Sequence, residues 1–357
     1  MMIKFTMRTK TPVGILGATG TVGQCFIQLL DQHPWFEVTW LAASDRSAGK
    51  KYEEAAKWRS SKPIPRAIAN MEVHSAAPDA KTPKIVFAAM DATAAQEIEP
   101  LFAEAGCAVV SNSSAFRMSE DVPLVIPEVN GHHLPLLKTQ KWYRKNGGFM
   151  VTNPNCSAIG LVLALAPLHR RFGVDKIFVA TMQAVSGAGY PGVPSLDILG
   201  NVIPYVSGEE PKMEAETRKL LGSLHGGGIT PAEIAMSAHC NRVAVEDGHT
   251  ESVSIKLNKP SQAEEMIAAW NEFRCLPQEL KLPTAPEQPV IYETAPDRPQ
   301  PRLDIHRGGG MSSVVGRLRA CNIFDWRFTV LSHNVIRGAA GAAVLNGELL
   351  YAQGYFT

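Results

Sequence analysis

Thr11-Pro-Val-Gly-Ile-Leu16, Gly17-Ala-Thr-Gly20-Thr-Val-Gly23 and Gln24-Cys-Phe-Ile-Gln-Leu-Leu30 follow one another without a gap. An apolar run, a glycine turn and a helix-periodic segment read as strand, turn and helix. In an open parallel sheet this order aims a helix N-terminus, with its unpaired N–H groups, at a pyrophosphate. The spacing is GxxGxxG, looser than the GxGxxG dinucleotide fingerprint, so a plain tight connection is the alternative. If a nucleotide binds, Gly17, Thr19, Gly20, Thr21, Val22 and Gly23 form its cradle.

The strand–helix alternation continues. Phe36 to Ala43 reads as a second strand, Lys84 to Ala89 as another, Asp91 to Gly106 as a helix and Ala108-Val-Val110 as a further strand. This predicts a doubly wound, Rossmann-like parallel sheet whose ligands lie at the carboxyl edge of the strands. The second strand ends in Ser44-Asp-Arg46-Ser47-Ala-Gly-Lys50. Arg46, with Ser44 and Ser47, suits a ribose 2′-phosphate, whereas Asp45 suits a free 2′-hydroxyl; the neighbouring cation favours NADP over NAD. No order is predicted for residues 51–84.

A second focus is Thr152-Asn-Pro-Asn-Cys156-Ser-Ala-Ile-Gly160. A strand (Gly148 to Val151) is broken by Asn-Pro, and a helix runs on from Ser157 to Leu168. Cys156 then sits where the first turn leaves N–H groups unpaired, which can stabilise a thiolate or an oxyanion formed by its attack. A buried apolar filler is the alternative for a free cysteine.

Beyond it the pattern changes. Asp175 to Ser186 is a long strand, and later strands (Thr250 to Leu257, Val314 to Leu318, Phe328 to Leu331) alternate as in a half-exposed antiparallel sheet. A helix between them is expected to open with a capping box, Ser261 to Glu264. Pro283 to Pro301 reads as irregular, and Asn334 to Leu350 as one helix in which Gly338 and Gly341 allow close approach of a backbone or a flat ligand. These readings predict residues 1–154 as a nucleotide-binding domain, completed by a C-terminal helix from 334–357, and 155–333 as an α+β domain.

The chain has 357 residues, a net charge of +1 and six cysteines without a CxxC pair. That length suggests two domains. The charge offers no field for a polyanion, and no basic cluster with aromatics is present, so nucleic acid is not an expected partner. No apolar run reaches membrane-span length, no metal site is expected, and scattered cysteines fit reduced thiols in a cytoplasmic protein. The first ten residues, with Met7 as an alternative start, read as a frayed lead-in.

Set side by side, these motifs resemble the aspartate-β-semialdehyde dehydrogenases, in the branch shared by archaea and fungi. The resemblance runs from Val13 to about Leu350. It is carried by the glycine turn, Ser111-Asn-Ser-Ser-Ala-Phe-Arg117, Val125-Ile-Pro-Glu-Val-Asn130 and Asn153-Pro-Asn-Cys156. It continues through Met182 to Tyr190, Gly208-Glu-Glu-Pro-Lys212, Asn241 to His249 and Ser332-His-Asn334. The resemblance implies NADPH-dependent reductive dephosphorylation of L-aspartyl-4-phosphate to the semialdehyde through a thioester, in lysine, threonine and methionine biosynthesis.

It further implies roles. Cys156 is the nucleophile, His249 the acid/base that takes the thiol proton, and Gln183 orients the substrate. Arg242 forks onto the α-carboxylate and Glu209 faces the α-ammonium. Lys212 and Arg117 hold phosphate with Asn155 beside it. Ser186, Gly187 and Asn334 lie on the cofactor side, Asn334 holding the carboxamide. Partners are then a small-molecule substrate and inorganic phosphate, in a homodimer or homotetramer. Ala244 stands where proline is commoner, and Pro211 lies inside the Glu209–Lys212 motif; neither removes a chemical group. A related acyl-CoA or acyl-phosphate reductase (malonyl-CoA or N-acetylglutamyl-phosphate type) is the alternative within the same scaffold.

Overall fold

The structure is a computed structural model that describes residues 9–356; the first eight residues of the expected lead-in, Met7 among them, lie outside these. Its first sheet contains β1 (Thr11–Leu16), β2 (Phe36–Ala43), β3 (Val73–Ser75), β4 (Ile85–Ala88), β5 (Ala108–Ser111) and β6 (Phe149–Thr152). All are parallel, in the order β3-β2-β1-β4-β5-β6. That order reverses between β1 and β4, so the crevice opens at the end of β1, where the glycine turn begins. The helices α1 (Thr21–Leu30) and α2 (Ala92–Glu104) follow β1 and β4. Asp91 starts α2 by accepting from the N–H groups of Thr93 and Ala94. The unassigned stretch 51–84 supplies the edge strand β3, pairing Val73 with Leu41.

The helix α3 (Cys156–Phe172) begins at the edge of this sheet and then runs into a second core. There it packs on a mixed sheet of β7 (Val174–Gln183), β10 (Ala235–Arg242), β11 (His249–Leu257), β12 (Val290–Glu293), β13 (Ser313–Ala320) and β14 (Trp326–Ser332). Its order is β10-β7-β11-β14-β13-β12, and β8 (Ser223–His225) and β9 (Gly228–Thr230) form a separate hairpin. The central pairs are antiparallel as expected, but β10 with β7 and β12 with β13 are parallel. The Pro283–Pro301 segment is therefore not wholly irregular: Val290–Glu293 is an edge strand, where proline neighbours are tolerated. The remaining long helices are α4 (Glu209–Leu220), α5 (Ala263–Asn271) and α6 (Gly341–Ala352).

Two local expectations shift. The capping box of α5 is formed by Gln262 and Glu265, one residue later than expected. Ser261 instead accepts from the Trp326 indole N–H. The last segment is not one regular helix: Ile336–Ala340 is a π-helical turn leading into α6. That turn buries Arg337, whose guanidinium donates twice to Glu128, at 2.8 and 2.7 Å. With both side chains fully buried, losing one partner would strand a charge, at a cost of about 3–5 kcal/mol. The Val125-Ile-Pro-Glu-Val-Asn130 motif is thus structural: Glu128 holds Arg337, and Asn130 bonds the backbone of Ile126 and Leu124. From α6, Ala343, Val344, Leu345, Leu349 and Leu350 fill the core of the first sheet.

Candidate active site

Cys156 is the first residue of α3, and its Sγ lies 3.2 Å from Nε2 of His249, the first residue of β11. The other ring nitrogen, Nδ1, accepts from the backbone N–H of Ala184 at 3.1 Å. A backbone N–H can only donate, so the neutral ring carries its proton on Nε2 and presents it to sulfur. In this arrangement His249 faces Cys156 as a hydrogen-bond donor. Burial, then Arg242 and His333, push the imidazole down to about 3. Burial, reinforced by Glu209, pushes the Cys156 thiol up to about 12 against Arg117 and Arg242. These shifts favour an uncharged sulfur beside an uncharged ring rather than a preformed thiolate.

The helix mouth is also more occupied than expected. Asn155 caps α3, its side-chain oxygen accepting from Ser157 and Ala158 N–H at 2.9 and 3.1 Å. Of the first-turn donors only the Cys156 N–H is left for an oxyanion. The Asn155 amide nitrogen donates to Glu209 at 2.8 Å. Asn155 is thus a cap and a link to Glu209, with the second N–H of its amide still available.

The mixed sheet sets the wall opposite. Parallel pairing puts Arg242 beside Gln183 at the ends of β10 and β7. Both are buried. Arg242 Nη1 donates to Ala184 O at 2.7 Å, and Gln183 Nε2 to Thr181 Oγ1 at 3.3 Å. Gly187 closes over them: a Cβ there would meet Arg242 Nη1 at 3.0 Å and His249 Cε1 at 3.1 Å. Gly338 serves Cys156 in the same way, its absent Cβ lying 2.7 Å from the cysteine Cβ. Close backbone approach, not a flat ligand, accounts for that glycine. Asn334 accepts from Gly248 N–H and donates to Ser186, both at 2.8 Å, fixing the turn into His249.

Helix α4 carries Glu209 buried at its start and Lys212, half-buried, one turn on. Two buried residues of the same helix were not read from sequence. Glu216 accepts from Arg117 Nη1 at 3.0 Å and from the Asn155 backbone N–H at 2.6 Å. Lys219 donates to the carbonyls of Arg117, Ser119 and Val122 at 2.7, 2.8 and 3.0 Å. Positions 209, 212, 216 and 219 follow helical spacing, a signal that was available but resembled a solvated charged face. Glu251, on the His249 face of β11, has both carboxyl oxygens buried without a hydrogen-bond partner among the described residues. Burial and then Glu209 hold its carboxyl well above the usual range.

At the switch point, Gly17 has φ +75, and a Cβ there would lie 2.4 Å from Ala89 O. A Cβ on Gly23 would lie 2.3 Å from Gly17 O. No side chain caps α1 at Gly20, so its first-turn N–H groups remain open, as an anion site requires. Gln24 ties the turn to the next loop, donating to Thr19 O and Lys57 O. Ser44 and Arg46 are exposed and Ser47 half-buried at the end of β2, beside the crevice.

Comparison with known proteins agrees with this architecture. The family models for "Semialdehyde dehydrogenase, NAD binding domain" and "Semialdehyde dehydrogenase, dimerisation domain" match residues 12–136 and 165–337. The chain is 52% identical to the aspartate-semialdehyde dehydrogenase of Archaeoglobus fulgidus, over 95% of this chain and 97% of that protein. It is 50% identical to that of Methanothermobacter thermautotrophicus, over 95% of this chain and 98% of that protein. The crystal structure of the Candida albicans aspartate semialdehyde dehydrogenase with NADP superposes with a TM-score of 0.91 at 42% identity, covering 98% of this chain and all (100%) of that one. With relatives this close over nearly its whole length, the chain belongs to the aspartate-semialdehyde dehydrogenase family, in the branch shared by archaea and fungi.

Proposed function

We propose that this chain interconverts L-aspartyl-4-phosphate and L-aspartate 4-semialdehyde with NADPH, through a thioester on Cys156. The 3.2 Å approach of Cys156 Sγ to the His249 Nε2–H is the observation that carries this reading. Gly17, Thr19, Gly20, Thr21, Val22 and Gly23 hold the pyrophosphate, Ser44, Arg46 and Ser47 the 2′-phosphate, and Ser186, Gly187 and Asn334 the nicotinamide side. Bound there, NADPH supplies a hydride.

Arg242 pairs with the substrate α-carboxylate and Glu209 with its α-ammonium, while Gln183 orients the acyl group. Arg117 and Lys212 hold the phosphoryl group. Glu209 is one of the charges that hold the thiol up, so pairing it with the substrate ammonium eases formation of the thiolate. The thiol proton passes to a phosphoryl oxygen of the substrate as Sγ attacks the acyl carbon, the carbon–oxygen bond to phosphate breaks, and phosphate leaves carrying that proton. Hydride addition to the thioester carbon gives a thiohemiacetal oxyanion. That oxyanion collapses by expelling Sγ as thiolate, and uptake of one proton from solvent returns the cysteine to its resting thiol. The His249 Nε2–H and the Cys156 N–H stabilise these anions by donating hydrogen bonds.

On this reading residues 1–154 with 334–357 form the cofactor domain and 155–333 the catalytic and dimerisation domain. The protein is a cytoplasmic homodimer or homotetramer. The test is to trap the acyl-enzyme by mass spectrometry with semialdehyde and NADP. A mass increase on Cys156 that phosphate discharges, and that Cys156→Ala abolishes, supports the reading. Acylation only by CoA or N-acetylated analogues overturns it.

A further inference from the structure

We infer that Glu216 is a positioning residue for phosphate: it fixes Arg117 relative to the nucleophile, so that one carboxylate sets the distance between the phosphate site and Cys156. The inference rests on the reading of Arg117 as a phosphate cation. Glu216 is buried in the middle of α4, and each of its oxygens has a different partner. Oε1 accepts from Arg117 Nη1 at 3.0 Å, and Oε2 accepts at 2.6 Å from the backbone N–H of Asn155, the residue that caps the Cys156 helix. The Arg117 fork is held from the other side by the Asn112 carbonyl, which accepts from Nη2 at 2.7 Å. Its Nε, also buried, has no hydrogen-bond partner among the described residues, so Nε–H together with the second N–H of each Nη is left for a ligand. One turn further on, Lys219 holds the carbonyl of Arg117 itself.

An arginine that must meet a tetrahedral anion with its remaining donors needs its plane fixed, since guanidinium donors form a rigid fork. The carboxylate accepts on both oxygens. A glutamine amide offers one acceptor and one donor, and here it faces two donors, so Glu216→Gln must release either Arg117 or Asn155.

The test follows phosphate-dependent oxidation of the semialdehyde by the full-length enzyme, with inorganic phosphate as the varied substrate. Glu216→Gln is expected to raise the KM for phosphate at least tenfold and to leave the KM for semialdehyde within twofold. Arg117→Ala is expected to raise the phosphate KM similarly, and the double variant to be within twofold of Arg117→Ala alone, because the two residues act through one group. Equal rises in both KM values, or multiplicative effects in the double variant, overturn the inference while the reading of Arg117 stands. An unchanged phosphate KM in Arg117→Ala overturns that reading and the inference with it. Should Glu216→Gln yield no folded protein, Glu216→Asp, which draws the carboxylate back by one methylene, is judged by the same thresholds.

Discussion

Replacing Gly338 by alanine is expected to disable the enzyme by displacing the nucleophile. The new Cβ would lie 2.7 Å from Cys156 Cβ and 3.1 Å from its Cα. Against a carbon–carbon contact of about 3.7 Å, the overlap is about 1 Å. Neither partner yields easily, because the π-helical turn is anchored by the buried Arg337–Glu128 pair and α3 is buried along most of its length. Overpacking of this kind costs about 1–3 kcal/mol of stability. The larger effect is geometric: moving Cys156 by part of that overlap lengthens and misaligns the 3.2 Å Sγ–Nε2 contact. A displacement near 1 Å at a reacting atom costs on the order of a hundredfold. The assay is kcat/KM for phosphate-dependent semialdehyde oxidation, followed as NADPH absorbance, beside a thermal melt. Gly341→Ala is the control, since its Cβ would meet Met311 Sδ at 2.6 Å and Ile336 O at 2.8 Å, away from the cysteine. It is expected to lose stability with little loss of turnover. A Gly338→Ala enzyme within threefold of its parent, or one no worse than Gly341→Ala, would show that this contact does not seat the nucleophile.

Three further outcomes are expected. If His249 acts as an Nε2–H donor, His249→Gln, whose amide can still donate, keeps activity within about tenfold, whereas His249→Ala loses about 10²–10³; equal losses argue for a proton carrier instead. Glu209→Gln removes a charge that opposes the thiolate, so alkylation of Cys156 by iodoacetamide at pH 7 should quicken while turnover falls, and an unchanged alkylation rate sinks that account. Burial pushes His249 down to about 3 and His133 down to about 4, from 6.5. Below pH 6.5 the unfolded chain then binds protons that the folded one does not, so stability falls with pH, by about 2 kcal/mol per histidine between pH 6.5 and 5. Urea melts across that range should show a shallower slope for His133→Gln, and an identical slope removes His133 from the explanation.

The sequence was most informative where chemistry is local. The strand, glycine turn and α1 depend on neighbouring residues alone, as does the placing of Cys156 at a helix start. The function of that helix start was harder to foresee, because Asn155 consumes two of its N–H groups and burial outweighs the pull of the helix on the thiol. The direction of the His249 proton depends on Ala184, a residue 65 positions away whose side chain carries no signal. Glu216 and Lys219 looked like surface charge until the loop carrying Arg117 was folded onto α4. The strand within Pro283–Pro301 was hidden for another reason: an edge strand with one neighbour needs little β-forming sequence of its own.

The way α6 fills the first core bears on how the protein is made. During synthesis the first sheet leaves the ribosome long before Val344, Leu345 and Leu349 exist, and the rings of Tyr355 and Phe356 belong against Phe149. A nascent chain halted anywhere before these residues carries an apolar wound on its oldest part. Losing α6 therefore unsettles the nucleotide site built on the first sheet.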